Sequence, residues 1–306
     1  MSKVAFMFPG QGSMEAGMGR EVAEAVPEAM HVFDEASDAA QMDLKELCFH
    51  RPVEDLVDTE VQQPALVTTC LSLDAALRAR GIRPHVVIGH SVGEFSALGS
   101  ADSLTVRDAI ALVRERGIAM ADAARQHPGS MAAILGLADE AVEALCRKIS
   151  NVWPANYNCP GQLVISGETI SVDEAIDEAT REGARRAIKL RVSGAFHSPL
   201  VARAAERLKP AVDRVHIGES KAAFMSTVSA KVEDAQHYRE LLVEQLTAPV
   251  KFTQAARELI ADGVTTFVEV GPGNVLGGLL KRIDKSVRTF SVSDLKSLDE
   301  VTEALG

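Results

Sequence analysis

The chain has 306 residues and a formal net charge of −11, and 46% of its residues are hydrophobic while only 4% are aromatic. That length is enough to bury a large core, in one domain or two. The acidic charge opposes binding to a phosphate backbone and the scarce aromatic rings provide no stacking platform, so we expect no nucleic acid partner.

Neither metal binding nor membrane insertion is indicated. The four cysteines are scattered, with no CxxC pair and no histidine at ligand spacing, which argues against zinc and against a disulfide framework. The N-terminal apolar run is too short for the core of a signal peptide, and no later run is long enough to span a membrane. We therefore expect a cytoplasmic protein that acts on small soluble substrates.

The first predicted elements are a strand and two helical segments. An apolar strand at residues 4–8 ends in the loop 9–13 (PGQGS), which carries two glycines. Helical segments follow at about 20–40 and 64–80, the second with apolar side chains at helical spacing.

The next segment places a serine at a sharp turn. A β-branched strand at 86–88 enters the sequence GHSVG at 89–93, and residues 92–98 contain nothing that would stop a helix. The glycines two before and two after Ser91 fit a turn with no room for Cβ atoms, which favours a nucleophilic serine. The alternative is a glycine-flanked connection with a capping serine.

A helix is predicted over residues 103–124. One face is apolar and is formed by the residues Val106, Ile110, Val113, Gly117 and Met120. Arg114 and Arg116 lie on opposite sides of this face at similar angles, so periodicity does not choose between them. Taken alone, the periodicity favours an arrangement in which both arginine side chains extend to solvent.

Residues 129–191 have the βαββαβ order of a small ferredoxin-like unit. The predicted strands are 131–135, 152–156, 163–166 and 186–190, and the predicted helices are 139–149 and 172–182. Signals of the larger sheet lie on both sides, so we predict an insertion at 129–191 into a core formed by 1–128 and 192–306.

Three apolar strands end in glycine-rich turns, at residues 10–12, 89–93 and 271–273. Further strands are predicted at 222–227, 265–270 and 288–292. Sites in open α/β sheets form beyond the carboxyl ends of strands, so we expect these turns to converge. None matches a nucleotide phosphate loop, and the turns are better suited to offering backbone N–H groups to an oxyanion beside Ser91.

A nucleophilic serine needs a base, and histidine has the most suitable pKa. Among eight histidines, His197 is the best candidate because it lies in the loop SGAFHSP, between a glycine and a proline. His90 adjoins Ser91, but adjacent side chains on a sharp turn point apart.

Several motifs, taken in order, resemble the malonyl-CoA:acyl carrier protein transacylases over nearly the whole chain. They are FPGQGS at 8–13, GHSVGE at 89–94, RERG at 114–117, NYNCPGQ at 156–162, SGAFHS at 193–198, QLTAPV at 245–250 and EVGPG at 269–273. Each motif is modest evidence alone, but the set is highly specific.

The resemblance implies roles for five residues in acyl transfer. Ser91 is the acylated nucleophile, His197 is its general base, and the carbonyl of Gln245 orients the histidine. The backbone N–H groups of Gln11 and Val92 form the oxyanion hole.

The resemblance also implies the substrate contacts. Arg116 pairs with the free carboxylate of the malonyl group, a bidentate contact to which a guanidinium is suited. Asn158 and Gln162 are further candidate contacts. In related acyltransferases a phenylalanine directly before the histidine goes with malonyl and a serine with methylmalonyl, so Phe196 indicates malonyl.

We therefore predict an α/β-hydrolase-like core with an inserted ferredoxin-like subdomain. The expected activity is malonyl transfer from malonyl-CoA to an acyl carrier protein, by a monomer that needs no cofactor. A stand-alone acyl hydrolase that edits misacylated carrier proteins is the main alternative, which Arg116 disfavours because an editor should accept chains without a carboxylate. A non-catalytic module that binds carrier proteins is a third.

An acidic carrier protein would need a local basic patch for docking. Two candidates exist, each of which could also be solvated surface charge, an interpretation slightly favoured for the second. The first, here the subdomain patch, comprises Arg181, Arg185, Arg186, Lys189 and Arg191, and the second, here the C-terminal patch, comprises Lys281, Arg282, Lys285 and Arg288.

Overall fold

A computed structural model describes residues 3–306 of the chain. The strands are β1 (Lys3–Phe8), β2 (Val86–Gly89), β3 (Gly129–Leu135), β4 (Val152–Cys159), β5 (Gln162–Glu168), β6 (Arg186–Lys189), β7 (Ala223–Ser226), β8 (Lys231–Glu233), β9 (Val264–Val270) and β10 (Arg288–Val292). The helices are α1 (Arg20–Ala25), α2 (Pro27–Ala40), α3 (Leu44–His50), α4 (Thr59–Ala79), α5 (Gly93–Ser100), α6 (Val106–Gln126), α7 (Asp139–Lys148), α8 (Thr169–Arg181), α9 (Ala202–Arg214), α10 (Ala235–Glu244), α11 (Phe252–Ala261), α12 (Val275–Ile283) and α13 (Leu295–Leu305).

The larger sheet has six strands in the order β10-β9-β1-β2-β7-β8. All neighbouring strands are parallel except β7 and β8. Alternate side chains of β1 enter two different cores: Phe6 and Phe8 pack with α1 to α6, whereas Ala5 and Met7 pack with α11 and α12. A parallel sheet buried on both faces needs such continuous apolar strands, and this explains why β1 reads as an unbroken apolar run.

The smaller sheet has the antiparallel order β4-β5-β3-β6. With α7 and α8 packed on one face it has the ferredoxin-like arrangement, and its own core contains residues such as Ile134, Val142 and Ile165. The predicted fold class is therefore confirmed. We propose that the domain boundaries lie where the sequence predicts them, next to Gly129 at the start of β3 and shortly after Lys189 at the end of β6.

Two prolines change the helix boundaries expected from the sequence. The predicted helix at 20–40 is two helices, because Val26 is extended and Pro27 begins α2, where a missing N–H costs nothing. The predicted helix at 64–80 begins five residues earlier, with Pro64 inside α4. Pro64 has no N–H to donate to the carbonyl of Glu60, and Arg114 Nη1 donates to that oxygen instead at 3.0 Å.

Three further findings concern the membrane span, the metal site and the disulfides that the sequence does not indicate. Within residues 3–306, no helix combines the length and apolar character needed to cross a membrane. The same residues contain no cluster of three or more acidic, histidine or cysteine side chains arranged to hold a metal ion. All four cysteines are free and buried.

Candidate active site

The turn between β2 and α5 has the geometry of a nucleophile elbow. Ser91 has a φ of 54°, a left-handed conformation that is unfavourable for a residue with a side chain. A Cβ at Gly89 would lie 2.1 Å from the backbone of Gly93, and a Cβ at Gly93 would lie 2.2 Å from the carbonyl oxygen of Phe8. Only glycine fits at either position, which is why the serine is flanked as it is.

His197 lies against the serine. Its Nε2 is 2.8 Å from Ser91 Oγ, and its Nδ1 is 2.8 Å from the backbone oxygen of Gln245 and 3.2 Å from that of Ala248. A carbonyl only accepts, so Nδ1 carries the proton and Nε2 accepts from the serine hydroxyl. Burial, together with the nearby charge of Arg116, lowers the pKa of His197 to about 3, so the imidazole is neutral near pH 7 and its Nε2 lone pair is free to accept a proton.

The structure separates the two arginines that periodicity left undecided. Arg116 is fully buried, and its Nη2 donates to Ser91 Oγ at 3.1 Å and to Gln245 Oε1 at 3.0 Å. Its Nη1 donates to Gln63 Oε1 at 2.7 Å, while Arg114 bonds the backbone of α4. Burial lowers the pKa of Arg116 to about 9, which still leaves the guanidinium charged at neutral pH. A buried cation thus adjoins Ser91.

Two buried polar residues that the sequence analysis did not single out complete this set. Gln63 anchors one arm of Arg116, and Glu94 accepts from Gln245 Nε2 at 3.0 Å. Burial raises the pKa of Glu94 to about 7, while hydrogen bonds from Thr227 oppose that change. Glu94 could have been found, since a glutamate in an otherwise apolar helical segment is rarely buried without a partner. Gln63 carries no such signal.

Of the two proposed oxyanion donors, Val92 follows Ser91 in the chain and Gln11 lies in the loop after β1. Within residues 3–306, the backbone N–H groups of Gln11 and Val92 donate no hydrogen bond. The side chain of Gln11 is held by Thr59 and Gln62, at 2.9 and 2.7 Å. Two unused N–H groups at strand ends are what an oxyanion would require.

A cavity of about 420 Å³ opens over the serine. Its walls come from the core and from the inserted subdomain, and they include Gln11, Ser91, His197, Phe196, Asn158 and Arg191. Asn158 Oδ1 lies 2.9 Å from His90 Nε2, which joins the subdomain to the residue before the nucleophile.

Of the predicted substrate contacts, Phe196 and Asn158 line this cavity, and Arg116 reaches Ser91 without being one of the lining residues. Gln162 is brought neither to the cavity nor to Ser91. It lies at the start of β5, where its Oε1 accepts from Arg282 Nη1 at 2.7 Å. Asn158 precedes the turn between β4 and β5 and Gln162 follows it, and only Asn158 reaches the cavity. Its expected substrate contact has no support from the geometry.

Comparisons with known proteins show which family the chain is similar to. The family model for the acyl transferase domain matches residues 5–299. The malonyl CoA-acyl carrier protein transacylase of Bacillus subtilis is 44% identical, over 100% of this chain and 98% of that protein. The crystal structure of the corresponding enzyme from Xanthomonas oryzae has a TM-score of 0.96 and 39% identity, covering 100% of this chain and 99% of that one.

A further solved structure is a complex of a type II polyketide synthase acyl carrier protein with its malonyl-transacylase. It has a TM-score of 0.95 and 36% identity, covering 99% of this chain and 100% of that one. Fold and family model together define an acyltransferase. Within that class, the chain belongs to the malonyl-CoA:acyl carrier protein transacylase family.

Proposed function

We propose that this protein transfers a malonyl group from malonyl-CoA to the phosphopantetheine thiol of an acyl carrier protein, through an ester on Ser91. The observation that carries the proposal is the 3.1 Å distance between Arg116 Nη2 and Ser91 Oγ. A buried cation this close to the nucleophile suits an acyl group whose free carboxylate lies only two bonds from the carbonyl that is attacked. An acyl chain without a carboxylate would leave the charge of Arg116 unpaired.

Acylation begins with proton transfer. His197 Nε2 takes the proton of Ser91 as the oxygen attacks the thioester carbonyl, and the Gln245 carbonyl stabilises the imidazolium through Nδ1–H. The N–H groups of Gln11 and Val92 bind the tetrahedral oxyanion. When the C–S bond breaks, His197 returns the proton to the departing CoA thiolate, and a malonyl ester remains.

Transfer reverses these steps with a different thiol. His197 takes the proton of the phosphopantetheine thiol, the sulfur attacks the ester, and Ser91 leaves with the proton that His197 returns. No step needs a cofactor, and we propose that none is used. We also propose that the protein acts as a cytoplasmic monomer, with Phe196 and Asn158 shaping the acyl pocket.

Docking of the carrier protein is proposed at the subdomain patch. Arg185, Arg186 and Arg191 are exposed and make no ion pair within the described chain, and Arg191 also lines the cavity. In the C-terminal patch, by comparison, Arg282 is engaged with Gln162 and Arg288 stacks on Phe290. Unpaired charge at the cavity mouth is more available to an acidic partner.

A two-stage assay tests the proposed function. Enzyme preloaded with malonyl-CoA and freed of excess substrate is mixed with a phosphopantetheinylated acyl carrier protein, and both proteins are weighed by mass spectrometry. We expect the malonyl mass to leave the enzyme and appear on the carrier protein. Loss of the malonyl mass to water, with an unchanged carrier protein, would favour the hydrolase instead.

A further inference from the structure

Glu94 is a buried carboxylate that the proposed mechanism does not use. It lies in the first turn of α5, fully buried, and its hydrogen-bond partners within residues 3–306 are all neutral. Burying a carboxylate is costly unless its oxygens accept hydrogen bonds. Its presence three residues after the nucleophile therefore calls for a reason in its contacts.

Those contacts divide between its two oxygens. Oε1 accepts from the backbone N–H of Thr227 at 2.6 Å, from the Thr227 hydroxyl at 2.9 Å and from Ser226 Oγ at 3.3 Å. Oε2 accepts from Gln245 Nε2 at 3.0 Å. Residues at the end of β7 thus fix one oxygen, and the other is left to face the amide of Gln245.

This contact determines which way the Gln245 amide points. Above its pKa of about 7 Glu94 is ionised and only accepts, so it selects the NH₂ end of the amide and leaves the Oε1 of Gln245 to accept from Arg116 Nη2 at 3.0 Å. With the amide reversed, an NH₂ group would face the guanidinium and an oxygen would face the carboxylate. Both contacts would then become repulsive.

We propose that Glu94 is a positioning residue that sets selectivity for acyl groups with a free carboxylate, by orienting the Gln245 amide that holds Arg116. This inference rests on the proposed function and names a further residue behind its selectivity. Glu94 does not act on the base, because His197 binds the backbone oxygen of Gln245, whose position does not depend on the side-chain amide.

The test is the ratio of kcat/KM for malonyl-CoA to that for acetyl-CoA in Ser91 acylation. In Glu94→Gln, either orientation of the new amide sets an NH₂ group against a donor, on Gln245 or on Thr227. We expect the ratio to fall at least tenfold, with the acetyl rate within about threefold of wild type. Both substrates report on the same folded molecules, so partial unfolding cannot change the ratio.

Glu269→Gln is the matched control. Glu269 is also fully buried, and it accepts from three backbone N–H groups at the start of α12, away from Arg116. We expect this variant to lose stability but to keep the wild-type ratio. If both rates of Glu94→Gln fall equally, or if neither falls, Glu94 is structural only and the inference is overturned.

A second variant separates orientation from charge. Glu94→Asp keeps the charge but is one methylene too short to reach Thr227 and Gln245 together, so its ratio should also fall. A wild-type ratio in Glu94→Asp, with a lowered one in Glu94→Gln, would overturn the inference in favour of a charge effect. If wild-type enzyme forms no malonyl ester, the proposed function itself fails, which is a different result.

Discussion

The charge of Arg116 is buried beside Ser91, one of the residues that line the proposed acyl pocket. Its guanidinium is shared among Ser91, Gln63 and Gln245, and its Nε has no hydrogen-bond partner in the described chain. An incoming carboxylate could replace the neutral serine and glutamine oxygens as acceptor and form stronger, charge-assisted bonds. The exchange would also release Ser91 Oγ from Arg116, leaving His197 as its remaining partner.

Arg116→Ala should therefore discriminate between acyl groups. We expect kcat/KM for malonyl-CoA to fall at least 100-fold, about 3 kcal/mol of lost carboxylate binding, while acetyl transfer is kept or rises. Arg114→Ala, two residues away on the same helix and bonded only to the Glu60 carbonyl, should leave malonyl transfer unchanged. Equal losses with both acyl groups would mean that Arg116 is structural.

His197 should remain neutral at pH values well below the usual pKa range of histidine. A protonated imidazole cannot accept the serine proton, and burial beside Arg116 lowers the pKa to about 3. NMR of labelled imidazole nitrogens, assigned with His197→Ala, should show the neutral Nδ1–H form throughout pH 5–8. A midpoint near 6.5 for this residue would refute the pKa argument.

The sequence pattern could not predict which of the two arginines, Arg114 or Arg116, is buried. Arg114 and Arg116 are equivalent on a helical wheel, and what separates them is the packing of α6 on α4. The two helices are so close at Gly117 that a Cβ there would lie 2.8 Å from the carbonyl oxygen of Thr59. Motif resemblance identified Arg116, whereas helical periodicity alone would have left both arginines in solvent.

At the level of elements, the turn carrying Ser91 depends on close backbone contact between β1 and α5. Gly93→Ala would place a Cβ 2.2 Å from the Phe8 carbonyl oxygen, and neither backbone can move without disturbing the sheet. We expect a loss of about 2 kcal/mol or more in the free energy of unfolding, with much reduced activity.

Gly278→Ala provides the opposite expectation. Gly278 lies inside α12 with open space around its Cβ position, so alanine should stabilise the helix by about 1 kcal/mol. Urea denaturation of both variants checks the pair. A Gly93→Ala protein as stable as wild type would contradict the account of the elbow.

Element order was largely predictable because local patterns determine it. The βαββαβ order of 129–191 and the apolar strands β1, β2 and β9 follow from hydrophobic runs and turn residues. β8, a three-residue edge strand, was not predicted, because so short a segment has no usable period. α1 and α2 were predicted as one helix, although Pro27 marked the break.

For the whole molecule, docking should depend on the subdomain patch. Replacing both Arg185 and Arg186 by glutamate changes exposed charge without touching the cavity lining. We expect KM for the carrier protein to rise several-fold and to grow less sensitive to salt, while KM for malonyl-CoA is unchanged.

The paired control reverses the same number of charges in the C-terminal patch. Replacing Lys281 and Lys285 by glutamate should alter neither KM, although the net charge changes by the same amount. If this control raises KM for the carrier protein and the subdomain variant does not, docking has been assigned to the wrong patch.

The most direct measurement is the mass of the intact protein after brief mixing with equal malonyl-, methylmalonyl- and acetyl-CoA, with Ser91→Ala alongside. The account predicts a malonyl adduct on the wild-type protein, in clear excess over the other two, and none on the variant. CoA release without any adduct would point to a hydrolase. If no adduct forms and no CoA is released, an acyl-enzyme mechanism is contradicted altogether.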